Sequence, residues 1–163
     1  VSAVTDDYRE PITEFRGRGI VPGVTEAEAL VTRDPISGFG GIDVATGTVI
    51  EPRHELFGVC FTGKVLVFPG AKGSSGWSGF FQSTRLMGTA PAAMVFNIVT
   101  TKAVLGAIVT RIPTVVEASP NPLDVIRTGD LLRVDGDTGV VTMLRRGAAP
   151  AGSPRVRSAD SIQ

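Results

Sequence analysis

Val65-Leu66-Val67-Phe68-Pro69-Gly70-Ala71-Lys72-Gly73-Ser74-Ser75-Gly76 is the stretch that decides the fold. Its first four residues form a continuous apolar run bounded by Gly63-Lys64 and Pro69-Gly70, the pattern of a strand buried on both faces. Ser75 to Met87 then carries Trp77, Phe80, Phe81, Thr84 and Leu86-Met87 at roughly helical spacing, with Gly88 as a stop. Ala92 to Phe96 reads as a second buried strand. Lys102 to Val109 reads as a short helix or an extended apolar segment, and Pro113-Thr114-Val115-Val116 as a third strand. Strand–helix–strand–helix–strand alternation implies parallel pairing with right-handed crossovers, and so an α/β fold.

Outward from this unit the pattern changes to shorter strands. Glu14-Phe15-Arg16-Gly17 and Ala29-Leu30-Val31-Thr32 read as strands separated by the turn Val21-Pro22-Gly23. Downstream, Leu131 to Val134 and Val140 to Leu144 flank Asp135-Gly136-Asp137-Thr138-Gly139, a strong hairpin signal. One domain is expected over residues 11–146. Residues 1–10 are polar and expected to be flexible; residues 147–163, rich in Ala, Gly, Pro, Ser and Arg, are expected to form a disordered tail.

Composition excludes several function classes. The 163 residues carry 16 basic and 16 acidic side chains with no sustained basic run, which argues against a phosphate-neutralising grip on nucleic acid. No apolar run approaches the roughly 20 residues of a membrane span. Val1 to Glu10 shows no cationic segment followed by an apolar one, so no secretory signal is read there. A single cysteine, Cys60, allows no internal disulfide, and a cytoplasmic location is the expectation. One Cys and one His, Cys60 and His54, cannot by themselves build a closed zinc site or hold an iron–sulfur cluster. No metal ligand is therefore assigned in this chain.

Three segments could carry chemistry. In Lys72-Gly73-Ser74-Ser75-Gly76 the backbone turns tightly into a helix start, whose N–H groups favour an anion or a serine alkoxide. On spacing alone an ordinary glycine turn with a serine N-cap is the favoured reading. The segment is not a Walker A loop, because Lys72 precedes Gly73, and it carries no dinucleotide fingerprint. The second segment, Pro35 to Asp43, offers Ser37 and Gly38 to a small polar substrate, while Asp43 reads as structural. The third, Pro52-Arg53-His54-Glu55, offers Arg53 and His54 for steering an acidic substrate or docking a partner; a solvated charge cluster fits equally well. Cys60 reads as a packed or half-buried thiol.

Taken together, Pro35–Gly58, Gly63–Gly76, Gly88–Phe96 and Ala103–Val115 resemble the aconitase X swivel-domain family, the small-subunit portion of a branch of the aconitase superfamily. The likeness covers roughly residues 15 to 145 in the family's order. It implies a swivelling β/β/α domain similar to the mobile domain of aconitase and isopropylmalate isomerase. In those relatives a Gly-Ser-Ser turn provides the serine that removes the substrate proton. Ser74 is accordingly the expected general base. Ser75 would cap the helix or bind substrate, and Gly73, Lys72, Ser37 and Gly38 would join it at the substrate. Aconitases follow the serines with a carboxylate-gripping arginine; here Gly76 stands in that place, which puts tricarboxylate substrates in doubt.

The resemblance further implies a heteromeric hydro-lyase, active with a large subunit that carries an iron–sulfur cluster or iron. Branches of the family act on cis-3-hydroxy-L-proline, giving Δ1-pyrroline-2-carboxylate, or on mevalonate 5-phosphate. With three lysines against thirteen arginines the chain does not look hyperthermophilic. On that ground cis-3-hydroxy-L-proline is the first expectation and mevalonate 5-phosphate the second, with Lys72 and Arg53 as a basic cradle for its phosphate. A swivel-fold binding module without catalysis is the alternative of another class.

Overall fold

The computed structural model describes residues 13–148. The expected flexible start at 1–10 lies outside the described residues, as does the expected tail beyond Ala148. In chain order the elements are β1 (Glu14–Val21), β2 (Val24–Val31), β3 (Ile36–Ser37), β4 (Ile42–Asp43), β5 (Thr48–Val49), β6 (Val65–Val67) and β7 (Ala71–Lys72). They continue as α1 (Trp77–Met87), β8 (Ala93–Phe96), α2 (Thr101–Thr110), β9 (Thr114–Ser119), α3 (Pro122–Val125), β10 (Leu131–Asp135) and β11 (Val140–Arg145).

Seven strands close into a barrel in the order β1-β11-β10-β2-β6-β8-β9. Its β2-β6-β8-β9 half is parallel, as the alternation with helices predicts. The other half is antiparallel and contains the β10–β11 hairpin. Although only Pro22-Gly23 separates them, β1 and β2 do not pair. β1 lies between β11 and β9, and β2 between β10 and β6. Closure leaves no unpaired edge in the ring, which removes a template for aggregation.

The buried strands sort their side chains by period-two alternation. Val65 and Val67 of β6, with Ala93 and Val95 of β8, join Phe15, Ala29, Val115, Leu132, Val134, Val141 and Met143 in one cluster. All seven barrel strands contribute to it, so it fills the barrel interior. The alternate residues Leu66, Phe68, Met94 and Phe96 face outward and pack with Trp77 and Phe81 of α1 and with Ala103 and Ala107 of α2. Along β6 and β8 the smaller Val and Ala side chains thus face the barrel interior, and the larger Leu, Phe and Met side chains meet the helices.

Trp77, Phe81 and Thr84 form the buried stripe of α1, and Gly88 ends the helix in the left-handed conformation (φ 78°). The segment Thr101–Thr110, which the sequence leaves open between helix and extended chain, is helical. It buries Ala103, Gly106, Ala107 and Thr110, small residues that let the two helices approach closely.

Candidate functional site

Strands β2, β6 and β8 run parallel, so their carboxyl ends lie on one edge of the barrel, where α/β folds place their ligand loops. Three loops leave that edge, beginning at Thr32, Phe68 and Asn97. The first two are tied by a short parallel ladder between β3 and β7, which pairs Ile36 with Ala71 and Ser37 with Lys72. Ile36 N donates to Gly70 O (3.1 Å), and the buried Trp77 Nε1 donates to Ile36 O (2.8 Å). The two glycine-rich segments singled out in the sequence therefore form one surface.

At its centre Gly73 adopts φ +94°, a conformation that side chains other than glycine rarely take, and a Cβ placed there would lie 3.5 Å from Ser37 Oγ. Ser37, Lys72 and Gly73 are brought together. Ser74 follows, exposed, with its Oγ accepting from Gly76 N (3.3 Å). A backbone donor on the hydroxyl oxygen stabilises negative charge there and leaves its proton free to move. Trp77 N donates to Ser74 O (3.2 Å), so the turn continues directly into α1.

Ser75 corrects one expectation. The residue preceding α1 is Gly76, in helical conformation, and no side chain caps this helix. Ser75 is exposed and borders an open cleft of about 380 Å³ together with Thr100, Thr101, Lys102 and Leu105. Lys102 was missed by sequence reading. Its Nζ donates to Gly73 O (2.5 Å) from the first turn of α2, across 29 positions of chain. Its available signal was rarity, since two of the three lysines flank this one turn.

Lys72 Nζ pairs with Glu51 Oε2 (2.8 Å), which offsets its charge; the other oxygen, Glu51 Oε1, is buried without a hydrogen-bond partner among the described residues. Glu51 too went unread in the sequence. Gly38 does not take the expected substrate-binding place. It is buried, its carbonyl accepts from Gly41 N (3.1 Å) and Ile42 N (3.3 Å), and a Cβ on it would lie 3.0 Å from Trp77 Cα. Close packing under α1 is what requires glycine there.

His54 is also corrected. It is 5% exposed, its Nδ1 accepts from Leu56 N (3.0 Å), and its Nε2 lies 3.1 Å from Pro35 O. With Nδ1 accepting, Nε2–H is the donor, and both ring nitrogens are spent on the loop itself. The ring fastens the Pro35 loop and is unavailable for steering or docking. Arg53 is exposed. Asp43 holds Ala45 N (3.1 Å) and Thr46 Oγ1 (2.9 Å), the structural part read for it. Cys60, read as packed or half-buried, is instead exposed, with its Sγ 3.5 Å from Thr46 O.

Neither His54 nor Cys60 suits a metal cluster: the His54 nitrogens are committed, Cys60 is a lone thiol, and no group of three His, Cys, Asp or Glu with metal-holding geometry occurs among the described residues. No helix among the described residues is long and apolar enough to cross a membrane.

Residues 14–143 match the model of the aconitase X swivel domain. The phosphomevalonate dehydratase small subunit of Methanosarcina mazei is 40% identical over 139 residues, covering 85% of this chain and 96% of that one. Its counterpart of the same name in Pyrococcus furiosus is 37% identical over 134 residues, covering 82% and 98%. Among solved structures, the crystal structure of holo-form aconitase X from Thermococcus kodakaraensis superposes with a TM-score of 0.77 at 36% identity, covering 81% of this chain and 98% of that chain. A UPF0107 protein solved in solution by NMR gives a TM-score of 0.74 at 38% identity, covering 81% and 99%.

Proposed function

This chain belongs to the aconitase X swivel-domain family, and from that premise we propose that it is the small subunit of a phosphomevalonate dehydratase with Ser74 as its general base. The relatives named phosphomevalonate dehydratase small subunit carry the choice of substrate, since the chain spans nearly their whole length. Mevalonate 5-phosphate thus replaces cis-3-hydroxy-L-proline as the first reading. The lysine count that favoured hydroxyproline reports adaptation to temperature, and it carries no information about a substrate.

Dehydration of a β-hydroxy acid removes a proton from the carbon beside the carboxylate and expels the neighbouring hydroxyl as water. In this reading Ser74 Oγ, as the alkoxide, takes that proton and becomes the neutral hydroxyl. Gly76 N–H holds that oxygen, and the exposed position of the turn presents it to a substrate held between subunits. Ser37 and Lys72 border the base, while Ser75 faces the adjoining cleft. Exposed Arg53 is left to attract the substrate's phosphate or to meet the partner. An iron–sulfur centre or iron on the large subunit would supply the Lewis acid for the leaving hydroxyl. The small subunit would be active only in that complex.

The test is dehydration by this chain co-expressed with its large subunit, wild type beside Ser74→Ala, with mevalonate 5-phosphate and cis-3-hydroxy-L-proline supplied in parallel. Turnover of mevalonate 5-phosphate is expected, lowered by about 10² to 10⁴-fold in an assembled Ser74→Ala complex. Turnover of hydroxyproline alone would overturn the substrate. Full activity in Ser74→Ala would overturn the base.

A further inference from the structure

We propose that Lys102 is the positioning residue of the serine turn: its ammonium clamps the Gly73–Ser74 peptide and thereby aims Ser74 at the substrate. The inference rests on Ser74 as the base and deepens that reading.

The geometry supplies the mechanism. A peptide unit is planar, so the Gly73 carbonyl oxygen and the Ser74 N–H move as one rigid body. Lys102 Nζ donates to that carbonyl at 2.5 Å, and the ammonium makes this a charge-assisted hydrogen bond. Holding the oxygen fixes the plane of this peptide and with it the position of Ser74 Cα, from which the side chain departs. The clamp is needed because glycine precedes the serine. Gly73 sits at φ +94° and is exposed, so few contacts of its own restrain this peptide from rotating.

The anchor is firm by contrast. Lys102 lies in the first turn of α2, next to the fully buried Ala103, with Gly106 packed against Trp77 one turn later. Among the described residues the charge on Lys102 is also uncompensated: Lys64 pairs with Glu28 and Lys72 with Glu51, whereas Lys102 has no carboxylate partner. With no counter-ion among the described residues, this cation one residue from Ser74 favours the serine alkoxide that must accept the substrate's proton.

Two measurements on Lys102→Met and Lys102→Arg test this. In the assembled complex Lys102→Met should lower kcat by about 10 to 100-fold with KM nearly unchanged, and Lys102→Arg should recover most of the loss, because it restores a charged donor. A raised KM with unaltered kcat would overturn the inference, showing that Lys102 grips substrate. Failure of the arginine to recover activity would overturn it as well. In the full chain studied by NMR, the Lys102 ammonium should show coupling across the hydrogen bond to the Gly73 carbonyl carbon, and Lys102→Met should shift the Ser74 amide. An unmoved Ser74 amide overturns the clamp whatever the substrate proves to be. An inactive wild-type complex with the coupling present overturns the assigned substrate and leaves the clamp standing.

Discussion

Gly106 of α2 lies against the ring of Trp77 so closely that a Cβ on it would fall 2.3 Å from Trp77 Cζ3. Trp77 is the first residue of α1, three positions after Ser74, so this contact seats the helix that carries the serine turn. The ring cannot give way: it is fully buried and stacks on Phe81 with centroids 4.2 Å apart. Overpacking of about 3 kcal/mol outweighs the roughly 1 kcal/mol that alanine gains in helix propensity. Gly106→Ala should therefore lower unfolding stability in urea by about 2 kcal/mol. Gly79→Ala, in the exposed first turn of α1 with nothing near its Cβ, should instead gain about 0.5 kcal/mol.

Asp130 anchors the far end of the domain. Only 1% exposed, it accepts from Arg127 N (2.8 Å), Gly147 N (2.8 Å) and Arg146 Nη1 (2.7 Å). Gly147, placed in the disordered tail by sequence, is held by this carboxylate. Asp130→Ala strands two backbone donors, while Arg146, partly exposed, can turn to water. A loss of about 3 kcal/mol is expected in urea unfolding, with a smaller loss in Asp130→Asn, which keeps one acceptor.

The parallel unit was legible because Val65–Phe68 and Ala92–Phe96 are buried on both faces, and no solvated strand reads that way. The barrel closure was not. Residues 14–21 and 24–31 are neighbours in sequence, yet their partners lie across the chain, Glu14 opposite Thr142 and Val24 opposite Asp135. Strand propensity carries no information about such pairing. Much the same divides the site. The serine turn announces itself locally through glycine and hydroxyl spacing, whereas Lys102 reaches it only through helix packing. A lone histidine gives no pattern at all, so the burial of His54 could not be read.

For His54 the structural assignment makes a sharp contrast with its neighbour. His54→Phe keeps an aromatic ring of similar size but leaves Leu56 N and Pro35 O without their partner inside the loop. Two such losses should cost about 2 to 3 kcal/mol. Arg53→Ala, at an exposed position, should stay within about 0.5 kcal/mol of wild type. Equal and negligible effects in urea unfolding would return His54 to the surface function first expected of it.

Ser75 separates capping from chemistry. Replacing a serine that caps a helix costs about 1 kcal/mol, because an N–H of the first turn loses its acceptor. Here Gly76 precedes α1 and no side chain caps it, while Ser74 Oγ takes the Gly76 N–H. Ser75→Ala should leave stability within about 0.5 kcal/mol of wild type, since Ser75 is exposed and caps nothing. Amide hydrogen exchange over Trp77–Phe80 should likewise be unchanged in Ser75→Ala. A loss near 1 kcal/mol, with faster exchange in that first turn, would restore Ser75 to the capping position.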